Sequence, residues 1–275
     1  MIDGIRLASK QDIPALCAVW KASFPDDDDY IQYFYEENFD RIKVQVYVIN
    51  DVPVSIVHIM DCCFAAGNEQ RNAKFLYAGG TLPDYRKKGC FTKLIKYVTE
   101  EEKRNGNAVF LKPSAPEYIE YYKRFGFEPD SYFRLVTVNP GEIQPLSVSP
   151  LSYEKYNRMR DSAFSHLPYA KWDDRHIKWC VDENEYFSGK TLAVSLEGEE
   201  YFLMASPEGN TLTVTETNMS VSQLKRVSGA LCDIFGTDVL KAYMPEFSCN
   251  EGERIIASVV DNAPLISTYV NLILI

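Results

Sequence analysis

The sequence predicts a mixed α/β (α+β) protein made of two similar halves. Runs rich in β-branched and aromatic residues alternate with segments of helical periodicity along the whole chain. The order of these elements over residues 1–140 recurs over 141–275, and the punctuated stretch Asn139-Pro140-Gly141 through Pro145 to Pro150 falls between the two.

In the first half, Ile5-Arg6-Leu7-Ala8 reads as a short strand, and Ser9, Asp12 and Pro14 follow in the order of a helix start. That helix should run to about Phe24, because Ile13, Leu16, Val19 and Trp20 recur at helical spacing and Pro25 ends it. The acidic run Asp26 to Asp29 then opens a loop, and a second helical segment spans about Tyr30 to Phe39. Val44 to Ile49 and Val54 to Met60, joined by Asn50-Asp51-Val52-Pro53, read as a hairpin. A polar loop, a strand from Lys74 to Leu82, and a helix from about Cys90 to Asn105 closed by Gly106 come next. Ala108 to Lys112 should be a buried strand, Tyr118 to Phe125 a short helix stopped by Gly126, and Tyr132 to Val138 the last strand of this half.

The second half repeats that order. A helix near Tyr153 to Phe164 contains Arg160-Asp161-Ser162-Ala163-Phe164, an echo of Trp20-Lys21-Ala22-Ser23-Phe24, and an aromatic helical segment follows over Trp172 to Cys180. Strands are expected at Thr191 to Leu196, Glu200 to Met204 and Leu212 to Thr217, then a helix over Ser220 to Phe235, a strand over Val239 to Met244 and a terminal strand near Tyr269 to Ile275.

Charge narrows the function classes. With 29 basic and 39 acidic residues the net charge is −10, so the general field repels nucleic acid and anionic membrane and suits a cationic small molecule. Seven cysteines form an odd set without a C-x-x-C pair, which speaks against a disulfide framework and a zinc site. His58, His166 and His176 lack ligand-like spacing, so no metal is expected. The N-terminus carries no signal-peptide pattern and no apolar stretch reaches ~18 residues, which makes the expected location cytoplasmic.

The chemistry is concentrated in one stretch, Tyr77-Ala78-Gly79-Gly80-Thr81-Leu82-Pro83-Asp84-Tyr85-Arg86-Lys87-Lys88-Gly89-Cys90-Phe91-Thr92. It reads as a strand, a proline-led turn and a basic, glycine-containing loop feeding a helix N-terminus. Such a junction offers unpaired N–H groups and the positive end of a helix dipole, which together bind phosphate. Arg86, Lys87 and Lys88 add cations, Gly89 allows a close bend, and Pro83, unable to donate to a ladder, should splay the sheet beside it.

This run resembles motif A of the GCN5-related N-acetyltransferase (GNAT) superfamily, a strand followed by Pro-x-Tyr-Arg-x-x-Gly-x-Gly/Ala and a helix. Arg86-Lys87-Lys88-Gly89-Cys90-Phe91 supplies the R-x-x-G part, with Phe91 standing where the family has a small residue. Downstream, Tyr121-Tyr122-Lys123-Arg124-Phe125-Gly126-Phe127 resembles the family's closing Tyr-x-x-x-Gly-Phe signature. The resemblance covers about residues 3 to 138, and within the superfamily it looks most like the tandem, Eis-like branch, whose members usually continue into a third domain.

The resemblance implies two GNAT-like domains, each a mixed, mostly antiparallel sheet flanked by helices, the second degenerate and without an R-x-x-G loop. It implies acetyl-CoA as co-substrate, with Gly79, Gly80 and Thr81 pairing to the pantetheine arm, residues Arg86, Lys87, Lys88, Gly89, Cys90, Phe91 and Thr92 holding the pyrophosphate, and Ser114 touching the cofactor. Phe91 could narrow that pocket. Tyr122 is the implied general acid for the departing thiolate. The acceptor is a small-molecule amine or a lysine-like group, and Asp26, Asp27, Asp28 and Asp29 are either a solvated loop or an acidic overhang that attracts it.

Because the 74–82 strand holds no carboxylate, the general base is left among water, Asp61 and the carboxylate of Ile275. The alternative function is a non-catalytic CoA-binding sensor, motivated by Phe91 and the missing carboxylate. The second half, rich in aromatics at Tyr169, Trp172, Trp179 and Tyr186, would cover the acceptor cleft or form a homo-oligomer surface.

Overall fold

A computed structural model describes residues 3–261 and 269–272, and the chain in it divides into two compact units. The first contains the chain up to Cys63, then Arg71–Pro129 and the stretch beginning at Ser258; the second contains Phe64–Gln70, Asp130–Ala257 and residues 269–272.

The first unit opens with β1 (Gly4–Leu7), a 3₁₀ turn (Lys10–Asp12) and α1 (Ile13–Lys21). Asp12 fastens this start: its carboxylate takes both Arg6 guanidinium nitrogens at 2.8 Å and the Ser9 N–H at 2.7 Å. Then come α2 (Asp28–Asn38), β2 (Lys43–Ile49), β3 (Val52–Ala66), β4 (Glu69–Thr81), α3 (Cys90–Arg104), β5 (Ala108–Leu111) and the short α4 (Ile119–Lys123). The strands neighbour one another in chain order, β1 to β5, with β1–β2 and β2–β3 antiparallel and β4–β5 parallel. Amphipathic spacing places Leu16, Val19 and Trp20 of α1, Ile31, Phe34 and Tyr35 of α2, and Leu94, Ile95 and Val98 of α3 in the core.

β3 and β4 are longer than the sequence suggested. The stretch expected to be a polar loop is instead a two-residue hairpin turn at Gly67-Asn68, where Gly67 takes the positive φ such turns require (+58°).

The second unit is built from β6 (Phe127–Val138), β7 (Ser147–Pro150), α5 (Tyr153–Phe164), β8 (Tyr169–Lys171), α6 (Asp174–Tyr186), β9 (Lys190–Leu196), β10 (Glu199–Glu208), β11 (Thr211–Thr217), α7 (Val221–Phe235), β12 (Val239–Pro245) and β13 (Glu253–Asp261). Its strand order is β6-β12-β11-β10-β9-β7. Leu224, Val227 and Leu231 of α7 close a core with Val194, Leu203, Leu212, Val214 and Leu240.

The units are not the contiguous stretches 1–140 and 141–275. The strand expected to close the first half, within β6, pairs with β12 from Val138↔Leu240 to Phe133↔Pro245 and so belongs to the second unit from Asp130 onward. Conversely, the end of β13, a strand the sequence reading lacks, pairs antiparallel with β5 in the first unit (Leu111↔Val259, Phe110↔Val260). Of the expected terminal strand, Tyr269 makes a parallel bridge to Tyr169, and residues 273–275 lie outside the described residues.

Candidate active site

The candidate site lies where the β4–β5 ladder stops. The two strands stay in register from Ala73↔Ala108 to Leu76↔Leu111, and β4 then runs on to Thr81 after β5 has ended. The opening therefore begins at Tyr77, before Pro83, which instead starts a 3₁₀ turn (Pro83–Tyr85). Ala78 sits at the opening with φ +43°, a left-handed conformation that costs a non-glycine residue roughly 1–2 kcal/mol.

The two glycines after it answer to packing. A Cβ on Gly79 would lie 2.8 Å from the Phe91 ring, and one on Gly80 would lie 2.5 Å from the Ser23 Oγ at the end of α1. On its β3 side this edge is fastened: Ser55 Oγ donates to the Gly80 carbonyl at 2.9 Å and lies 2.9 Å from Thr81 Oγ1, and the Leu82 N–H donates to the Val54 carbonyl at 3.0 Å.

The basic loop has a division of labour that its composition hides. Arg86 is a brace: its Nε donates to the Thr81 carbonyl at 3.0 Å and its Nη2 to the Ala22 carbonyl at 2.6 Å, tying the loop to the end of α1. Lys88 rests over the Tyr85 ring, 5.3 Å from its centroid. Lys87 is exposed with φ +62°, and Gly89 follows at φ +80° as the N-cap of α3. Gly89 makes no side-chain cap, so among the described residues the first N–H groups of α3 and the positive end of its dipole are left without a capping side chain beside these cations. A Cβ on Gly89 would meet open space, so glycine is required there by backbone conformation. Cys90 is buried, and all seven cysteines are free thiols.

Aromatic rings gather between the first turn of α3 and α4. Phe91 stacks on Tyr121 of α4 (6.4 Å, 17°), and the Tyr121 hydroxyl lies 3.1 Å from Thr92 Oγ1, so α4 is joined to the first turn of α3. Tyr122 packs edge-on to Tyr121 (5.3 Å) and Phe127 (6.0 Å), and no hydrogen-bond partner for its hydroxyl occurs among the described residues. Burial, then the neighbouring Tyr121 and Tyr118, push its pKa well above the ordinary tyrosine range. Ser114 is exposed in the bend after β5.

Three residues to which the sequence reading gave no role stand in this region. Tyr121 holds α4 to α3, Ser55 fixes the end of β4, and Lys112, at the end of β5, is half-buried with its pKa lowered by burial. An apolar strand that ends in a lysine was the available signal for the last; the other two are read only from long-range contacts.

The acidic run is only partly a loop. Asp28 and Asp29 form the first turn of α2, where negative charge complements the helix dipole, and Asp27 is its N-cap. Asp26 accepts the Trp20 indole N–H at 2.7 Å, and Asp28 pairs with Lys21 at 3.3 Å. Asp61 is held by Lys74 at 2.5 Å, and Ile275 lies outside the described residues. Among the described residues no group of three His, Cys, Asp or Glu side chains is arranged as metal ligands, and no helix is long and apolar enough to cross a membrane.

Residues 4–129 match the family model of the acetyltransferase (GNAT) domain. Among solved structures, a probable N-acyltransferase from Enterococcus faecalis V583 superposes with a TM-score of 0.74 at 11% identity, over 94% of this chain and 72% of that one. A GCN5-related N-acetyltransferase from Kribbella flavida follows with TM-score 0.68, 16% identity and coverages of 94% and 71%. Eis1 from Mycobacterium abscessus gives 0.64, 12%, 94% and 73%. No curated protein matches the sequence. Residues 4–129, a little under half of the chain, are thus similar to the acetyltransferase (GNAT) domain, and the solved structures share the fold of nearly the whole chain.

Proposed function

We propose that the chain transfers an acetyl group from acetyl-CoA to the primary amine of a small cationic molecule or lysine-like group, in the manner of the Eis-like branch. The observation that carries the cofactor assignment is the uncapped N-terminus of α3 beside Lys87 and Lys88, in a protein of net charge −10. Backbone N–H groups of residues 86 to 92 would hold the pyrophosphate, and the edge over Gly79, Gly80 and Thr81, where the β5 ladder has ended, would pair with the pantetheine arm.

In the reaction the amine nitrogen attacks the thioester carbonyl, the C–S bond breaks, and the sulfur leaves as thiolate. An amine with a pKa near ~10.4 must first lose a proton, at a cost of roughly 4–5 kcal/mol at pH 7. Of the candidate bases, Asp61 is engaged by Lys74, and a proton relayed through water stays open beside it.

Tyr122 is the group proposed to meet the thiolate. A raised pKa makes full proton transfer to a thiolate of pKa ~8.5 unfavourable, so the hydroxyl acts chiefly by donating a hydrogen bond with the proton only partly moved. Its hydroxyl has no hydrogen-bond partner among the described residues, which supports that role. Tyr122→Phe should lower kcat by about 100-fold and leave the acetyl-CoA KM within about threefold. An unchanged kcat removes Tyr122 from the chemistry.

The reading as a whole is tested by CoA release against a panel of amines. Acetyl-CoA binding without turnover on any of them would favour the alternative, a CoA-binding sensor, for which Phe91 over Gly79 is the supporting feature. The proposed setting is cytoplasmic.

A further inference from the structure

Behind the bend of β4 lies a buried histidine that the transfer chemistry does not use. His58 of β3 is fully buried, with Trp20, Phe34 and Tyr35 at ring-centroid distances of 5.1, 5.6 and 5.6 Å and Tyr77 at 6.3 Å. Both ring nitrogens are engaged. Nδ1 lies 3.2 Å from the Tyr77 carbonyl, and Nε2 lies 2.9 Å from the Tyr35 hydroxyl. A carbonyl only accepts, so Nδ1 carries the proton, Nε2 accepts, and Tyr35 donates. Burial lowers the His58 pKa to about 4, which keeps the ring neutral with a single N–H at ordinary pH. Among the described residues, the titratable side chains packed around it are Tyr35 and Tyr77, with Cys17 behind Tyr35.

The destination of that one N–H is the peptide that immediately precedes Ala78, the left-handed residue at the opening. Beyond the bend, Ser55 of the same strand donates to the Gly80 carbonyl. Two side chains of β3 therefore bracket Ala78 by holding the β4 carbonyls on either side of it. We propose that His58 is a positioning residue for acetyl-CoA: by holding the Tyr77 carbonyl it keeps β4 bent at Ala78 and aims the Gly79–Thr81 edge into the opening. This rests on reading that edge as the acetyl-CoA site. With the bend held in advance, the edge meets the cofactor without first being ordered.

Three substitutions separate the role from bulk packing. His58→Asn places an amide N–H close to the Nδ1 position, His58→Gln carries its amide out toward the Nε2 position, and His58→Leu removes polar contact altogether. Two readouts are taken: deuterium exchange of amides 77–82 without ligand, and steady-state kinetics in acetyl-CoA. In His58→Leu, exchange over 77–82 should accelerate at least tenfold with that of 91–104 unchanged, and the acetyl-CoA KM should rise about tenfold with kcat within threefold. His58→Asn should return both to within threefold of wild type, and His58→Gln should not; that pair decides the matter if the leucine variant does not fold. Equal exchange and KM in all variants, or no recovery with asparagine, overturns the proposal. A wild-type chain that binds no CoA by calorimetry overturns the acetyl-transfer reading and this role with it, whereas normal wild-type binding with an unaffected glutamine variant overturns the role of His58 alone.

Discussion

The two units place a helix N-terminus after a strand of the same kind and finish it in opposite ways. In the first, Gly89 caps α3 without a side chain, three cationic residues precede it, and the ladder beside β4 ends early. In the second, α7 is closed by its own sequence: Ser220 Oγ accepts the Gln223 N–H at 3.3 Å and Gln223 Oε1 accepts the Ser220 N–H at 2.8 Å, a reciprocal capping box. The β11–β12 ladder also stops early, at Val214↔Ala242, but residues just beyond it are already bonded. Asn271 donates to the Thr215 carbonyl at 2.8 Å, and Glu216 takes Tyr156 at 2.5 Å, Tyr269 at 2.9 Å and Arg160 at 3.0 Å. Among the described residues, one unit leaves its helix start without a capping side chain, and the other satisfies its helix start with side chains of its own. A handful of residues thus decides whether this architecture presents a site or a sealed core.

The most severe test of the sealed core is Arg160→Leu. Arg160 and Glu216 are both fully buried, so removing the cation leaves an unpaired buried carboxylate and should lower stability by about 3–5 kcal/mol in urea unfolding. Replacing both by apolar residues should recover most of that loss; a single substitution costing under ~1 kcal/mol would mean the pair is not what seals the unit.

The first unit has its own buried titratable group, and it gives a pH signature. The folded pKa of His58, about 4, lies below the ordinary value near 6.5, so the unfolded chain takes up the proton first. Stability from this source is complete above pH ~6.5 and declines as pH falls toward 4, by up to about 3 kcal/mol. Unfolding of His58→Asn across that window should show a correspondingly flatter dependence, and identical slopes would contradict the assignment.

Smaller effects sharpen the contrast between the helix starts. Lys87→Ala with Lys88→Ala should weaken CoA binding about tenfold or more and reduce its salt dependence, measured by calorimetry at two ionic strengths. Ser220→Ala should cost α7 about 1 kcal/mol of stability and leave CoA binding untouched. A change in CoA affinity with Ser220→Ala would break the distinction between the two helices.

Much of this was readable from residues close together in the chain. Tyr153–Phe164 is the helix its periodicity predicts, and the basic loop feeding α3 stands where the R-x-x-G pattern sets it. The unreadable features depend on distant partners. Nothing in an alanine announces a left-handed φ, because the residue that holds Ala78 there lies on the neighbouring strand. Arg86 looks like a phosphate ligand in a list of cations and becomes a brace only when Ala22 is beside it. Pairing of β6 with β12 and of β13 with β5 joins segments over a hundred residues apart, beyond the reach of local pattern.

The central claim, that the open start of α3 takes the cofactor and the closed start of α7 does not, meets its most direct test in calorimetric titration of the intact chain with CoA. The account predicts saturable binding of one CoA per chain that the Lys87→Ala, Lys88→Ala variant weakens by about tenfold or more. Two equivalents per chain, or binding indifferent to those lysines, would contradict it.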